Sequence, residues 1–296
     1  MFKQDSKIAV IGDIMLDKHV HCEIIGLSPE DDGALKIRTM TEIKKPGGAA
    51  NVVNNLKTLG CQNIYLYGII GNDTEGQELT NLINDVKLNL YTCSDRPTTT
   101  KTRYISPKGR HIVRIDKEIT KPIDQEIKTK IIKELEQNSV YDAIIISDYA
   151  KGIVTEELCK EIHCCSQLII VDPKDKNLMK YGPVYAMTPN EQEWGNGTKH
   201  EAYNLIVTKG KKGCTIDIGK ATIEWPVRER EVGDPTGCGD SFIAGLTMAL
   251  VTKYDINKAC NIGMAVAACA VDHDGAHAVP LHELEKELKT FPYFLG

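Results

Sequence analysis

The sequence predicts an α/β protein, with a mostly parallel central sheet covered by helices on both faces and a small second β-sheet acting as a lid. Three observations predict it. Short apolar runs of strand length alternate with amphipathic stretches of helical period along most of the 296 residues, the pattern of a parallel sheet buried on both sides. Polar residues collect where the apolar runs end, at Asp13, Asp148, Asp172 to Lys174, Asn190 and Thr208 to Gly210, and sheets of this kind bind ligands at the carboxyl ends of their strands. Two stretches, about 17–44 and 98–116, are β-rich and polar-alternating with no helix between them, which predicts the lid strands.

Taken in order, residues 7–13 (Lys-Ile-Ala-Val-Ile-Gly-Asp) read as a buried strand ending in a turn. Residues 48–59 read as a helix closed by Gly60, 63–70 as a second strand, and 75–86 as a helix with Leu79, Leu82, Ile83 and Val86 on one face. A helix over 124–137, a strand over 143–147, a helix over 155–163 and a strand over 168–172 continue the alternation. Two short strands follow at 184–187 and 205–208, then helices at about 236–252, 256–272 and 281–290. No linker, low-complexity segment or repeat divides the chain, so residues 1–296 are expected to form one domain.

Composition narrows the function classes. The chain is 42% hydrophobic and 26% charged, ordinary values for a globular protein with its own core. A net charge of -5 with no basic stripe argues against a nucleic-acid partner. No apolar run approaches the roughly 18 residues that would span a bilayer, and the run Ile8 to Ile11 is too short for a signal-peptide core. The ten cysteines include no C-x-x-C pair and read as reduced, mostly buried thiols of a cytoplasmic protein. The spacing of Cys159, His163, Cys164 and Cys165 matches no closed zinc pattern.

The chemistry is concentrated in Gly233-Asp234-Pro235-Thr236-Gly237-Cys238-Gly239-Asp240, which runs into the apolar helix Ser241-Phe242-Ile243-Ala244-Gly245-Leu246. Backbone N–H groups at a helix start lack intrahelical partners, and the dipole there favours negative charge. Small residues let a phosphate approach the backbone, so Gly237, Cys238 and Gly239 can form an anion hole for a phosphoryl group in transfer. Asp240 follows in the first turn and can accept the proton of an attacking hydroxyl. The plainer alternative is a glycine turn capping a helix, with Asp240 complementing the dipole. Neither a Walker A motif nor G-x-G-x-x-G after the first strand occurs. Asp13 at a strand end and Asn51 near a helix start suit sugar hydroxyls, although each alone also reads as an ordinary turn or helix-start polar residue.

Asp234 to Asp240 resembles the D-T-x-G-A-G-D signature of the PfkB (ribokinase-like) carbohydrate kinases, and Gly47-Gly48-Ala49-Ala50-Asn51 resembles that family's sugar-side glycine motif. Further stretches are similar to one branch, the kinase module of bifunctional heptose kinase/adenylyltransferases. They are Ile11 to Asp17, Leu27 to Glu30, Lys101-Thr102-Arg103, Val113 to Asp116, Ser147-Asp148-Tyr149-Ala150-Lys151-Gly152, Val171 to Lys174 and Thr188-Pro189-Asn190. The resemblance runs from about residue 7 to about 285 and implies a three-layer α/β/α sandwich. It implies ATP and Mg2+ as cofactors, and phosphorylation of D-glycero-β-D-manno-heptose 7-phosphate at O1 on the way to ADP-heptose.

It also implies roles. Asp240 is the base and Gly237, Cys238 and Gly239 the anion hole. Asp13, Asp17, Gly47, Gly48, Asn51, Asp148 and Lys174 lie on the substrate side. Asn190 and Glu193 lie near the phosphates and magnesium, while Thr208, Lys209, Gly210 and Thr236 line the nucleotide. Asp234 and Thr236 flank a potassium-like ion. A substrate phosphate needs cations, and Arg103, Arg114 and Lys101 lie on the lid stretches; a solvated charged edge is the alternative. A homodimer through the lid is expected by analogy.

The chain departs from the branch at three places. Only about fifteen residues separate Asn190 from the strand at 205, so a flanking helix is nearly lost; Met264 stands where the branch carries Asn near the adenine; and Cys238 replaces Ala. No H-x-G-H motif of a nucleotidyltransferase occurs, so the kinase half alone is expected. Two other functions share these motifs: a kinase for a free sugar or nucleoside, and a non-catalytic sugar or nucleotide sensor.

Overall fold

The computed structural model describes residues 1–30, 33–138, 140–195, 198–217, 222–225, 235–273 and 275–290. In chain order the strands are β1 (Lys7–Gly12), β2 (Ile14–Leu27), β3 (Leu35–Gly48), β4 (Asn63–Gly71), β5 (Lys87–Cys93), β6 (Thr100–Ile105), β7 (His111–Lys117), β8 (Ala143–Ser147), β9 (Ile169–Asp172), β10 (Ala186–Met187), β11 (Asn204–Thr208), β12 (Cys214–Asp217) and β13 (Thr222–Trp225). The helices are α1 (Ala49–Thr58), α2 (Thr74–Leu82), α3 (Gln125–Gln137), α4 (Glu156–Ile162), α5 (Glu191–Trp194), α6 (Cys238–Val251), α7 (Ile256–Ala270) and α8 (Leu281–Thr290).

Nine strands form the main sheet in the order β13-β12-β11-β10-β9-β8-β1-β4-β5. From β11 to β5 every neighbouring pair is parallel, and only the β11–β12 and β12–β13 pairs, at one edge, are antiparallel. Alternate residues of one strand feed two cores, as the period of two requires. Ile8 and Val10 of β1, with Ala143 and Ile145 of β8, pack with α1, α6 and α7. Ala9, Ile11, Ile144 and Ile146 point the other way, into Ile127, Ile131 and Leu135 of α3 and Leu158 and Ile162 of α4. This is the three-layer sandwich predicted.

The second sheet has the order β3-β2-β6-β7. It is wider than the 17–44 stretch suggested, because β1 passes into β2 with only Asp13 between them and β3 runs on to Gly48. The register pairs Ile14 with Gly48 antiparallel, and Leu16 to His21 with Thr100 to Ile105 in parallel.

Two expectations need correction. The helix predicted over 75–86 ends at Leu82: Ile83 is already extended, Asp85 turns with φ 55°, and the chain enters an unpredicted edge strand, β5. The Asn84-Asp85 turn chemistry overrides the apolar period there. The β12–β13 hairpin was also missed, since each strand is a four-residue run too short to stand out from loop.

Helix starts divide into two kinds. Asp73, Asp124, Thr155, Asn190 and Asp255 cap α2, α3, α4, α5 and α7 through their side chains. By contrast, α1 and α6 begin at Gly48 and Gly237, which supply no capping side chain. Those two starts are the glycine motifs of the sequence, and they meet at the carboxyl end of the sheet.

Candidate active site

Asp240 lies in the first turn of α6 and is only 2% exposed. Two neutral donors hold its carboxylate. Asn51 Nδ2, from the first turn of α1, donates to Oδ2 at 2.8 Å, and the Tyr149 hydroxyl, from the loop after β8, donates to Oδ1 at 2.7 Å. Burial pushes the Asp240 carboxyl up to about 6; the Asn51 and Tyr149 hydrogen bonds pull against that, Asp17 adds to it, and Lys101 opposes it. A carboxylate so placed is ionised at neutral pH yet more basic than a surface aspartate, which suits a proton acceptor.

Tyr149 is itself held from below. The Asp13 carboxylate accepts from the Tyr149 and Lys151 N–H groups at 2.8 and 3.0 Å, and from Ile153 N–H at 3.4 Å. Asp148 accepts from Ala150 N–H at 2.7 Å, and Ala150 is fixed at φ 56°, a left-handed conformation unusual for a residue with a side chain. The strand-end aspartates thus fold a tight loop that aims the phenol at Asp240. Asp13 is pushed up to about 6 by burial and by Asp148. Most of its acceptor capacity goes to backbone, so its first role is to shape this loop.

Gly237 begins α6 in the left-handed region, at φ 81°. A Cβ there would come within 2.7 Å of Asn51 Nδ2 and 3.2 Å of Ala276 Cα, so only glycine fits between α1 and the 275–280 loop. Gly48 has φ 60°, and a Cβ on it would strike the Asp13 carbonyl oxygen. Cys238 and Gly239 complete the turn, with Gly239 open and facing Asp172: a Cβ built on it would lie 3.6 Å from Asp172 Oδ2.

Arg103 and Asp17, both assigned to substrate, are paired with each other. Arg103 Nη1 meets Asp17 Oδ1 at 2.6 Å with both side chains less than a tenth exposed. Lys101, beside them, lies 5.2 Å from the Tyr149 ring centre and has its pKa lowered by burial. Arg114 sits on edge strand β7, half-exposed and 3.0 Å from Asp116. Asp148 holds Lys180 Nζ at 2.6 Å and the Tyr181 hydroxyl at 2.7 Å.

Among the residues expected to face the nucleotide, Asn190 caps α5 and Glu193 accepts in return from the Asn190 N–H, a capping box. The other Glu193 oxygen takes Lys174 Nζ at 2.7 Å. The four-residue α5 confirms how little helix follows Asn190. Thr208 closes β11 and bridges to Asn190, Lys209 Nζ lies 3.9 Å from Glu224, and Gly210 turns with φ 54°. Thr236 is half-buried beside the turn, whereas Asp234 lies outside the described residues. Met264 is buried in α7 with its sulfur 3.4 Å from Cys214 Sγ, so it is core.

Asp172 belongs to the site although no role was read for it. It is half-buried at the end of β9, and desolvation of its carboxylate, with Asp240 and Glu193 nearby, raises its pKa well above the ordinary range. Asp172 thus lies within electrostatic range of both Asp240 and Glu193. Tyr149 was the other omission. Its sequence signals were its place in the branch-like stretch Ser147 to Gly152 and a phenol directly after a strand-end aspartate.

The fold, the glycine-started helix and its buried acid define a carbohydrate kinase. The sequence pattern of the pfkB family of carbohydrate kinases matches residues 5–283, and the chain belongs to that family, a phosphotransferase acting on sugar hydroxyls. It is 33% identical to the bifunctional protein HldE of Helicobacter hepaticus over 314 aligned positions, covering 97% of this chain and 64% of that protein. HldE of Sulfurimonas denitrificans is 31% identical, over 95% and 64% of the two chains. The chain therefore spans somewhat under two thirds of these relatives. Among solved structures, ribokinase from Thermotoga maritima superposes with a TM-score of 0.76 at 19% identity, covering 96% of this chain and 99% of that one. Phosphofructokinase-2 from Escherichia coli, solved in complex with potassium, gives 0.79 at 15% identity with the same coverage. These two show the fold.

Proposed function

We propose that this kinase transfers the γ-phosphoryl group of ATP to the anomeric hydroxyl of D-glycero-β-D-manno-heptose 7-phosphate, giving the 1,7-bisphosphate and ADP. The observation that carries the chemistry is the Asp240 carboxylate, fixed by Asn51 and Tyr149 in the first turn of a helix that begins at glycine. The heptose assignment rests on the likeness to HldE over nearly the whole chain.

In this reading the sugar hydroxyl lies against Asp240, and its oxygen attacks the γ-phosphorus in line with the departing ADP oxygen. As the bond to phosphorus forms, the hydroxyl proton passes to Asp240. The N–H groups at the start of α6, from Gly237 to Gly239, stabilise the charge on the phosphoryl oxygens. Magnesium, when bound, neutralises phosphate charge; Asp172, Glu193 and Asn190 are the residues that would hold it. A potassium-like ion would sit by Thr236 and Asp234. Asp13, Asn51, Gly47 and Gly48 bound the sugar side, and of the lid cations assigned to a sugar phosphate Arg103 is tied to Asp17 and Arg114 to Asp116, while Lys101 lies beside Tyr149.

The second sheet serves as the lid and as the contact of a homodimer. Its edges are β3 and β7, and it exposes Ile24, Leu27, Leu35, Met40, Val113 and Ile115, an apolar set suited to a second copy. No helix among the described residues is long and apolar enough to cross a membrane. We place the enzyme in the cytoplasm, where ATP and reduced thiols are available.

A coupled ADP-release assay with ATP and magnesium tests the substrate. Turnover with the heptose 7-phosphate should exceed that with ribose, fructose or fructose 6-phosphate by about 10⁴-fold in kcat/KM, the discrimination a site gives when its buried polar groups are left unpaired. Turnover with a free sugar and none with the heptose phosphate would reassign the substrate within the family.

A further inference from the structure

The loop that carries Tyr149 is held at its start by a buried cation that takes no part in the contacts around Asp240. Lys180 lies in a single 3-10 turn, Leu178–Tyr181, whose Leu178 and Tyr181 side chains share a core with Leu158 and Ile162 of α4. Its Nζ is 2.6 Å from Asp148 Oδ2 and 3.2 Å from Asp175 Oδ2, and the Lys180 and Asp148 side chains are 11% and 1% exposed. The Tyr181 hydroxyl donates to the same Asp148 oxygen at 2.7 Å, while Asp148 Oδ1 accepts from the Ala150 N–H. Ala150 makes the left-handed turn, and Tyr149 just before it reaches Asp240. A continuous path of contacts thus runs from Lys180 through Asp148 and the Ala150 turn to the phenol and the buried acid.

We propose that Lys180 is a positioning residue for phosphoryl transfer: by fixing the Asp148 carboxylate, it fixes the turn that presents Tyr149 to Asp240. The role rests on the reading of Asp240 as the proton acceptor. Two strand-end acids, Asp13 and Asp148, both hold N–H groups of this loop, and each is almost wholly buried. They repel one another: burial first, and Asp148 second, raise the Asp13 pKa. A buried carboxylate beside another needs a counter-charge. Burial pulls the Lys180 pKa down, but Asp148 and Asp175 push it above its ordinary value, so the side chain is an ammonium at neutral pH. Without it, Asp148 would be an uncompensated buried charge, and the turn would rearrange to bring that charge to water. The left-handed backbone at Ala150 persists only while its surroundings hold it, so the phenol would lose its aim.

Steady-state kinetics on the whole chain, with ATP, magnesium and the heptose 7-phosphate, test the role through a double-mutant cycle. Lys180→Met and Lys180→Arg are each made alone and together with Tyr149→Phe. Alone, Lys180→Met should lower kcat at least about tenfold with the sugar KM within about threefold, and in the Tyr149→Phe background it should cost less than about twofold, because residues on one path are not additive. Lys180→Arg, which keeps the charge, should recover most of the kcat. Should Lys180→Met fold poorly, Tyr181→Phe removes the other donor to Asp148 Oδ2; it should lower kcat at least about threefold and lose that effect in the Tyr149→Phe background. Equal losses in both backgrounds, a raised sugar KM with kcat unchanged, or no recovery in Lys180→Arg would overturn the positioning role. With Tyr149→Phe itself slow, those results leave Asp240 as the base and strike Lys180 alone. A Tyr149→Phe enzyme with wild-type turnover would overturn both the role of Lys180 and the steering of Asp240.

Discussion

Asp240→Asn is expected to lower kcat by roughly 10²–10⁴-fold while leaving ATP and sugar binding within a few-fold. The substitution keeps the shape of a side chain that is almost wholly buried, and its remaining oxygen can still accept from Asn51 or Tyr149. It removes the ability to take a proton, together with the negative charge and one of the two acceptor oxygens. Ligand-induced shifts in thermal midpoint should survive, which separates lost chemistry from lost binding. Stability should move the other way. The folded Asp240 pKa of about 6 lies above its ordinary 3.8, so this group contributes stability that is complete below about 3.8 and is lost as pH rises through 6. The neutral variant should therefore be at least as stable as the wild type at pH 8. Turnover within tenfold of the wild type would remove Asp240 from the role of base.

Asp17→Ala is expected to destabilise the protein by roughly 3–5 kcal/mol, as breaking a buried ion pair from one side does. Arg103 would keep its charge with its carboxylate partner gone, in a place where its side chain is 9% exposed. The pair also sits where β2 and β6 run in parallel, so its loss loosens the strands that carry the lid. Urea unfolding should show the fall in midpoint with little change in slope. Arg103→Met in the same chain should restore part of it, because an apolar side chain needs no partner. A loss under about 1 kcal/mol would mean that water reaches Arg103 and that the pair is not buried in solution.

Features set by neighbours in sequence were legible before the structure. The glycine turn and acid of α6 are eight consecutive residues whose chemistry depends only on a helix starting there. The central strands were legible because parallel strands buried on both faces leave near-continuous apolar runs, as in Ile8 to Ile11. Features set by distant pairing were not. Tyr149 meets Asp240 across 91 positions, and nothing local marks it as the donor. Arg103 read as a phosphate contact because it is a cation on a lid stretch, and Asp17 read as a substrate residue by resemblance; only the folded structure, where adjacent strands β2 and β6 bring them to 2.6 Å, shows that they pair with each other. Asp13 read as a sugar ligand, while three backbone N–H groups from residues 149–153 take up much of its carboxylate. Residues 75–86 carried a helical period, and a two-residue turn at Asn84-Asp85 was enough to end the helix and start β5.

The central claim is that Asp240, steered by Tyr149, takes the proton. The acid limb of kcat/KM tests it most directly. The wild type should rise with unit slope through about pH 6, the value burial gives Asp240. In Tyr149→Phe a hydrogen bond that favours the carboxylate is gone, so the limb should move to higher pH and the plateau should fall. The substrate phosphate titrates near pH 6 too, but identically for both enzymes, so the difference between them isolates Asp240. A limb at the same pH in both proteins, or a flat wild-type profile from about pH 5 to pH 7, would contradict the account.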